Sequence, residues 1–236
     1  MIRRSLLDDL LARGKRFQSE IEQSETANGL HFKSSHGARH DVWIQTIGLL
    51  VKCYDCKSGV SGNPNPISSK QTVYFATFVQ GIEATKRLII EGHYAKAAAL
   101  LKQDIEILAR IKEITAGSDA EGVNPNVRHL SEELRMMYGA LNKLAHPANT
   151  NLLVEHLDSF ALSSEANIGL SPMPIFIAET AEGTCDLHIY LCFQVTREFL
   201  IMLARVYDTS DVALRRLVED ANLLADRIPV VLKAVE

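Results

Sequence analysis

Three polar residues fall one helical turn apart in the string MMYGALNKLAHPANTN: Tyr138, Asn142 and His146. Steps of four residues put them on one flank of a helix. Pro147 stops that helix, so the imidazole falls in its last turn. A helix C-terminus favours a protonated imidazole, and a carboxamide one turn below it gives the flank a second polar group. Arg135 lines up on the same side. Such residues could equally cap a helix end and satisfy its carbonyls; the two readings weigh about the same from sequence. On an earlier helical stretch, Ala97, Leu100, Leu101, Ile105, Ile107, Leu108, Ile111 and Ile114 share one broad face with Asp104 in its middle, while Lys102, Glu106 and Glu113 lie opposite. A carboxylate in an apolar stripe is costly to bury unless paired. Asp104 is therefore expected either to meet a cap or an arginine, or to be aimed at a site.

Other groupings have metal-ligand types. Cys53 and Cys56 make C-x-x-C, and Cys185 and His188 make C-x-x-H. Together they could form a tetrahedral zinc site. Both pairs fall inside apolar-periodic helices rather than on tight knuckles, and Cys185, Cys192, Phe199 and Leu203 share one stripe, as core cysteines do. The expectation is reduced, metal-free thiols, with a zinc-stabilised structural module as the alternative. His31, His36 and His40 lie in NGLHFKSSHGARH, read as a solvated loop rather than a metal site.

The wider composition narrows the classes. The chain has 236 residues, 47% hydrophobic and 23% charged, with a net charge of −4. That is enough apolar material for a proper core, and there is no global basic field for nucleic acid. The apolar runs fall short of the roughly 18 residues that span a bilayer. MIRRSLLDDLLARG is interrupted by Asp8 and Asp9 and reads as an amphipathic helix, not a signal peptide. A cytoplasmic protein without a membrane partner follows as the expectation. No cofactor is expected: the two glycines of SGVSGNPNPISSK have no strand before them and no Gly-Lys-Ser/Thr after them, so they make no phosphate loop.

Almost the whole chain reads as helix. A first helix is expected from about Arg3 to Ser24, facing Leu6, Leu7, Leu10, Leu11, Phe17 and Ile21 inward. Others follow over about Asp41–Lys57, Gln71–Glu91 and Tyr94–Thr115, the last two joined at Gly92 as antiparallel neighbours. A fifth spans about Val127–Ala145, with Leu130, Leu134, Met137, Leu141, Leu144 and Ala145 as its core stripe. LLVEHLDSFAL and MPIFIAET could be two short strands of a hairpin. Thr184 reads as the N-cap of a helix to about Tyr207, and Asp208 or Ser210 as the cap of another to about Leu224. The organisation expected is one helical domain over 1–236, with N-terminal helices (1–57), a bundle core (71–147), an irregular insert (148–183) and C-terminal helices (184–236).

AALLKQDIEILARIKEI followed by MYGALNKLAHPANTN resembles the HEPN-like helical families of bacteria, especially the uncharacterised and abortive-infection-associated branch. Those families show Leu-Leu-Arg-x-x-x-Glu on one helix and Tyr-x-x-Leu-Ser-x-x-x-His-Pro at the end of a later one. Here Leu101, Lys102 and Glu106 match the first, with lysine for arginine. Tyr138, Leu141, Asn142, His146 and Pro147 match the second, with asparagine for serine. The likeness covers about a quarter of the chain. It implies an all-α antiparallel bundle, dimerisation and, in active members, metal-independent RNA cleavage by an arginine, a polar residue and a histidine. Asn142 and His146 fit the last two. The arginine position is Leu141, on the core stripe. Arg135 lies eleven residues before His146, about 16 Å at the helical rise, and Lys143 points to the solvated side.

Without that arginine, RNA cleavage lacks the cation that stabilises the phosphorane. The expectation is therefore a HEPN-like binding or regulatory module of phage defence or stress response. Its polar cleft is drawn from Lys102, Asp104, Glu106, Arg135, Tyr138, Asn142 and His146, and its partners are a second copy and RNA or a protein. A metal-independent ribonuclease using His146 and Asn142 is the alternative.

Overall fold

The computed structural model describes residues 2–57, 59–145, 173–207 and 211–228, and among them it is all-helical with no strand. In chain order the helices are α1 (Ile2–Ser35), α2 (Gly37–Asp55), α3 (Pro66–Ile90), α4 (Tyr94–Ala116), α5 (Glu132–Ala145), α6 (Ala178–Val206) and α7 (Val212–Ala225), with a short 3-10 turn at Val127–His129 before α5.

The centre of the bundle is α4, whose Ala97, Leu101, Ile105, Leu108 and Ile111 are fully buried. It packs on α3, α5 and α6. Side-chain contacts between helices fix the directions. Thr85 meets Asp104 and Gln71 meets Thr115, so α3 runs antiparallel to α4. Asp104 approaches His188 and Lys112 bonds Glu198, so α6 runs parallel to α4. Trp43 stacks edge-on against His188 and Tyr54 packs on Phe199, so α2 also runs parallel to α6. Ion pairing of Lys52 with Asp220 and bonding of Arg227 to Gln45 lay α7 antiparallel along α2. One hydrophobic cluster runs from Phe32 to Ile228 and includes α2 and α6 as fully as α3 and α4.

Local chemistry explains several boundaries that differ from expectation. The stretch containing His31, His36 and His40 is helical, not a loop: α1 continues to Ser35, and only His36, φ −127°, interrupts the path into α2. Asn28, Phe32 and His36, one per turn, are the buried residues of that extension, a stripe too narrow to read as apolar periodicity. Helix α3 starts at Pro66, earlier than the expected Gln71. Pro66 occupies its first turn, and Asn65 and Ser68 form a reciprocal capping box, the arrangement that satisfies two orphan N–H groups at once. Thr184 caps nothing; it lies inside α6, its hydroxyl bonded back to the Thr180 carbonyl at 2.6 Å. Residues 173–177 form no strand, and Ala178 begins α6; the other expected strand, LLVEHLDSFAL, lies outside the described residues. The cap of α7 is Asp211, which accepts from the N–H groups of Ala213 and Leu214, rather than Asp208 or Ser210.

The first half of α1 does not face inward. Leu7, Leu10, Leu11 and Phe17 are 44–65% exposed, while the side chain of Leu6 is outside the described residues. Only the last third of α1 packs on the bundle, through Asn28 and Phe32. Helix α6 is long and apolar enough to cross a membrane by length and composition, which single short runs did not reveal; 72% of its most apolar stretch is buried against the other helices.

Candidate functional site

The polar candidates of α4 and α5 fall into two separate groups. The first lies across the groove between these helices. Glu113 meets Asn126 just before α5 and Glu106 meets Tyr138 within it, so the two helices run antiparallel. The Tyr138 hydroxyl donates to Glu106 Oε1 at 2.8 Å. Lys102, one turn before Glu106, lies 3.5 Å from the same oxygen and 5.7 Å from the centre of the Tyr138 ring. Glu106 and Lys102 are about one-quarter exposed, so the group lies at the surface of the groove rather than beneath it. Burial, and then the Glu106 carboxylate, push the Tyr138 phenol up to about 12; the hydroxyl stays a donor at any physiological pH. Asn142 follows one turn on, half-buried. Leu141 is 8% exposed and belongs to the core, together with Leu130 and Leu134 and the partly buried Met137 and Leu144. Arg135 is exposed and is not joined to Glu106. His146, next in sequence after the last residue of α5, lies outside the described residues.

Asp104 does not join this group. It points into the core, 5% exposed, where the Thr85 hydroxyl donates to it at 3.4 Å. His188 Nε2 is 3.9 Å from its carboxylate, too far for a hydrogen bond. Burial drives Asp104 up to about 7 against the smaller pull of Thr85. Burial, aided by Lys86, drives His188 down to about 3. At pH values between these two, the one proton of the pair resides on the carboxyl, and two neutral groups meet in the bundle centre. Both ring nitrogens of His188 lack a hydrogen-bond partner among the described residues. Isolated burial of this kind favours neutral forms over charge separation.

The cysteines are explained by helix direction. Because α2 and α6 are parallel, Cys53 lies at the level of Phe199, whereas Cys185 lies at the level of Arg39. The two C-x-x-C/H pairs are therefore about 20 Å apart along the bundle at the helical rise. Cys53, Cys56, Cys185 and His188 do not converge, and they make no four-ligand zinc site. Cys53, Cys185 and Cys192 are fully buried. Burial pushes the Cys53 thiol up to about 12 and those of Cys185 and Cys192 well up too.

The charged clamps between distant segments were not foreseen from sequence. Arg39 on α2 bonds Glu182 and the buried Asp186 on α6, with Nε 3.0 Å from the Asp186 carboxylate. Arg110 bonds the carbonyls of Ala120 and Val123, and Glu113 accepts from the Asn126 N–H at 2.7 Å. This second clamp folds the loop after α4 back on itself and sets where α5 starts. The i, i+3 spacing of Arg110 and Glu113 was the available signal, but it identifies no distant partner.

No family model, curated protein or solved structure matches the chain. Its function is read from the chemistry of its own side chains.

Proposed function

We propose that the chain is a HEPN-like helical module that binds RNA along the α4–α5 groove without cleaving it, in a setting of phage defence or stress response. The observation that carries this reading is the Tyr138–Glu106 hydrogen bond at 2.8 Å with Lys102 beside it. It supports the pairing of the two motif segments that carry the resemblance, and it leaves a cation, a phenol and the Asn142 amide along the groove where His146 follows in sequence. Lysine offers a phosphate contact, and amide and imidazole groups offer hydrogen bonds to splayed bases.

Burial of Leu141 argues against the ribonuclease alternative. The position that carries arginine in active members of the family faces the core here, so no guanidinium from it can meet the transition-state charge. One lost contact of that kind costs about 10²–10³ in rate. The test uses a fluorescent single-stranded RNA, followed for binding by anisotropy and for cleavage by gel on the same samples. Binding that weakens in Tyr138→Phe and His146→Ala, with intact RNA throughout, supports the proposal. Metal-independent cleavage abolished by His146→Ala would establish the alternative instead.

A further inference from the structure

The turn joining α3 to α4 gathers three metal-ligating side chains that neither the groove nor the core uses. Glu91 follows the last residue of α3, His93 precedes the first of α4, and Glu25 reaches them from α1. One carboxylate oxygen from each glutamate and one ring nitrogen of His93 all lie within 4.8 Å of one another. Among the described residues no other three His, Cys, Asp or Glu side chains do so. His93 Nε2 is 2.9 Å from Glu25 Oε1. Zinc bonds of about 2.0–2.2 Å at tetrahedral angles put neighbouring ligand atoms roughly 3.3–3.6 Å apart, so the three atoms already approach the required triangle.

The backbone beneath them is fixed before any ion arrives. Gly92 has φ +87°, and a Cβ there would lie 2.7 Å from the Ile175 carbonyl oxygen and 2.9 Å from the Asn28 amide nitrogen. That amide, 7% exposed, donates to the Glu91 carbonyl at 2.8 Å and to the Pro174 carbonyl at 3.1 Å. The Ser24 hydroxyl donates to the same Pro174 oxygen at 2.6 Å. Neutral hydrogen bonds thus hold α1 to the turn that carries the other two ligands through Asn28, and to the Pro174 carbonyl on both sides of Glu25 through Ser24 and Asn28. The two carboxylates are met by the Arg87 guanidinium, which bonds Glu91 from the solvent side, and by the His93 imidazole.

We propose that Glu25, Glu91 and His93 bind one zinc ion that staples α1 to the α3–α4 turn. The donor set selects the ion. An imidazole nitrogen with two carboxylates suits a first-row divalent metal, whereas magnesium and calcium prefer all-oxygen shells. Three protein ligands leave a fourth position for water. The staple falls where α1 needs it, since beyond its last third the helix exposes Leu7, Leu10, Leu11 and Phe17.

Calorimetric titration of the metal-free full chain with zinc chloride, beside thermal melts, tests the proposal. Wild type is expected to take up one equivalent and to melt higher when saturated. Glu25→Gln keeps the volume and can still hydrogen-bond His93, so it is expected to melt like wild type without zinc yet bind it at least tenfold more weakly, as is His93→Ala. Failure of wild type to bind stoichiometrically overturns the site. So does unchanged binding in Glu25→Gln, which would place the ion elsewhere, for instance at Cys53 and Cys56. One equivalent bound with no change in the melt overturns the staple.

Discussion

A single carboxyl, Asp104, has two neighbours that explain why it lies in an apolar face, Thr85 and His188. Its raised folded value, about 7, means that the fold prefers the protonated acid. That preference stabilises the protein fully below the unfolded value of about 4 and is lost as pH rises through about 7. His188, lowered to about 3, has the opposite sign: its contribution is complete above about 6.5 and is lost as pH falls toward 3. Between about 4 and 6.5 both states hold one proton on the pair, as aspartic acid when folded and imidazolium when unfolded, so the two slopes cancel. Asp104→Asn should therefore gain on wild type between pH 5 and pH 9, by about 3 kcal/mol, since roughly two pH units separate pH 5 from the folded value of Asp104. Urea unfolding of both proteins at the two pH values checks this; a constant difference would mean that the buried carboxylate ionises at no cost. Leu141 offers a plainer contrast. Leu141→Ala should cost about 2–5 kcal/mol through the cavity it leaves, whereas His146→Ala should leave the melting temperature close to that of wild type; an equal loss in the two melts would make the histidine structural. At this scale the sequence made Asp104 and Leu141 conspicuous by helical spacing alone. It held no hint of His188 as the partner, because the residues that meet in a core are set by helix direction and not by local pattern.

Among the elements, helices with a broad apolar face were legible to within a few residues, α4 above all. Those that start on chemistry other than periodicity were not. Helix α3 begins on a proline and an asparagine–serine box inside a run that reads as loop. Helix α6 begins on AETAEG after a proline-rich approach, where alternating apolar residues mimic a strand. The Glu106–Tyr138 pairing was legible because the resemblance implies that α4 and α5 are antiparallel neighbours, which brings one polar flank against the other. The parallel run of α2 and α6 was not, since the chain between them offers no constraint that local sequence expresses. That register has a measurable consequence for the thiols. Cys53, Cys185 and Cys192 are fully enclosed, and burial raises all three, so only thiolate-poor, inaccessible sulfur is presented there. A thiol-reactive chromophore should modify Cys56 alone in the native protein and all four cysteines in denaturant. Rapid native labelling of Cys185 would contradict the parallel packing that buries it beneath Arg39 and Glu182.

At the scale of the whole molecule, one core joins helices from both halves of the sequence, and the polar groove of α4 and α5 lies on its flank. The net charge of −4 supplies no long-range pull on nucleic acid, so the proposed RNA recognition would rest on the few groups placed along the groove, and its salt dependence should be shallow. The decisive measurement is the affinity of a fluorescent single-stranded RNA for wild type and His146→Ala at matched thermal stability. At least a tenfold loss is expected in the variant, with the RNA uncut by either protein. Equal affinity of the two proteins, or RNA cut by wild type without added metal, would contradict a groove that binds RNA through His146 and leaves it intact.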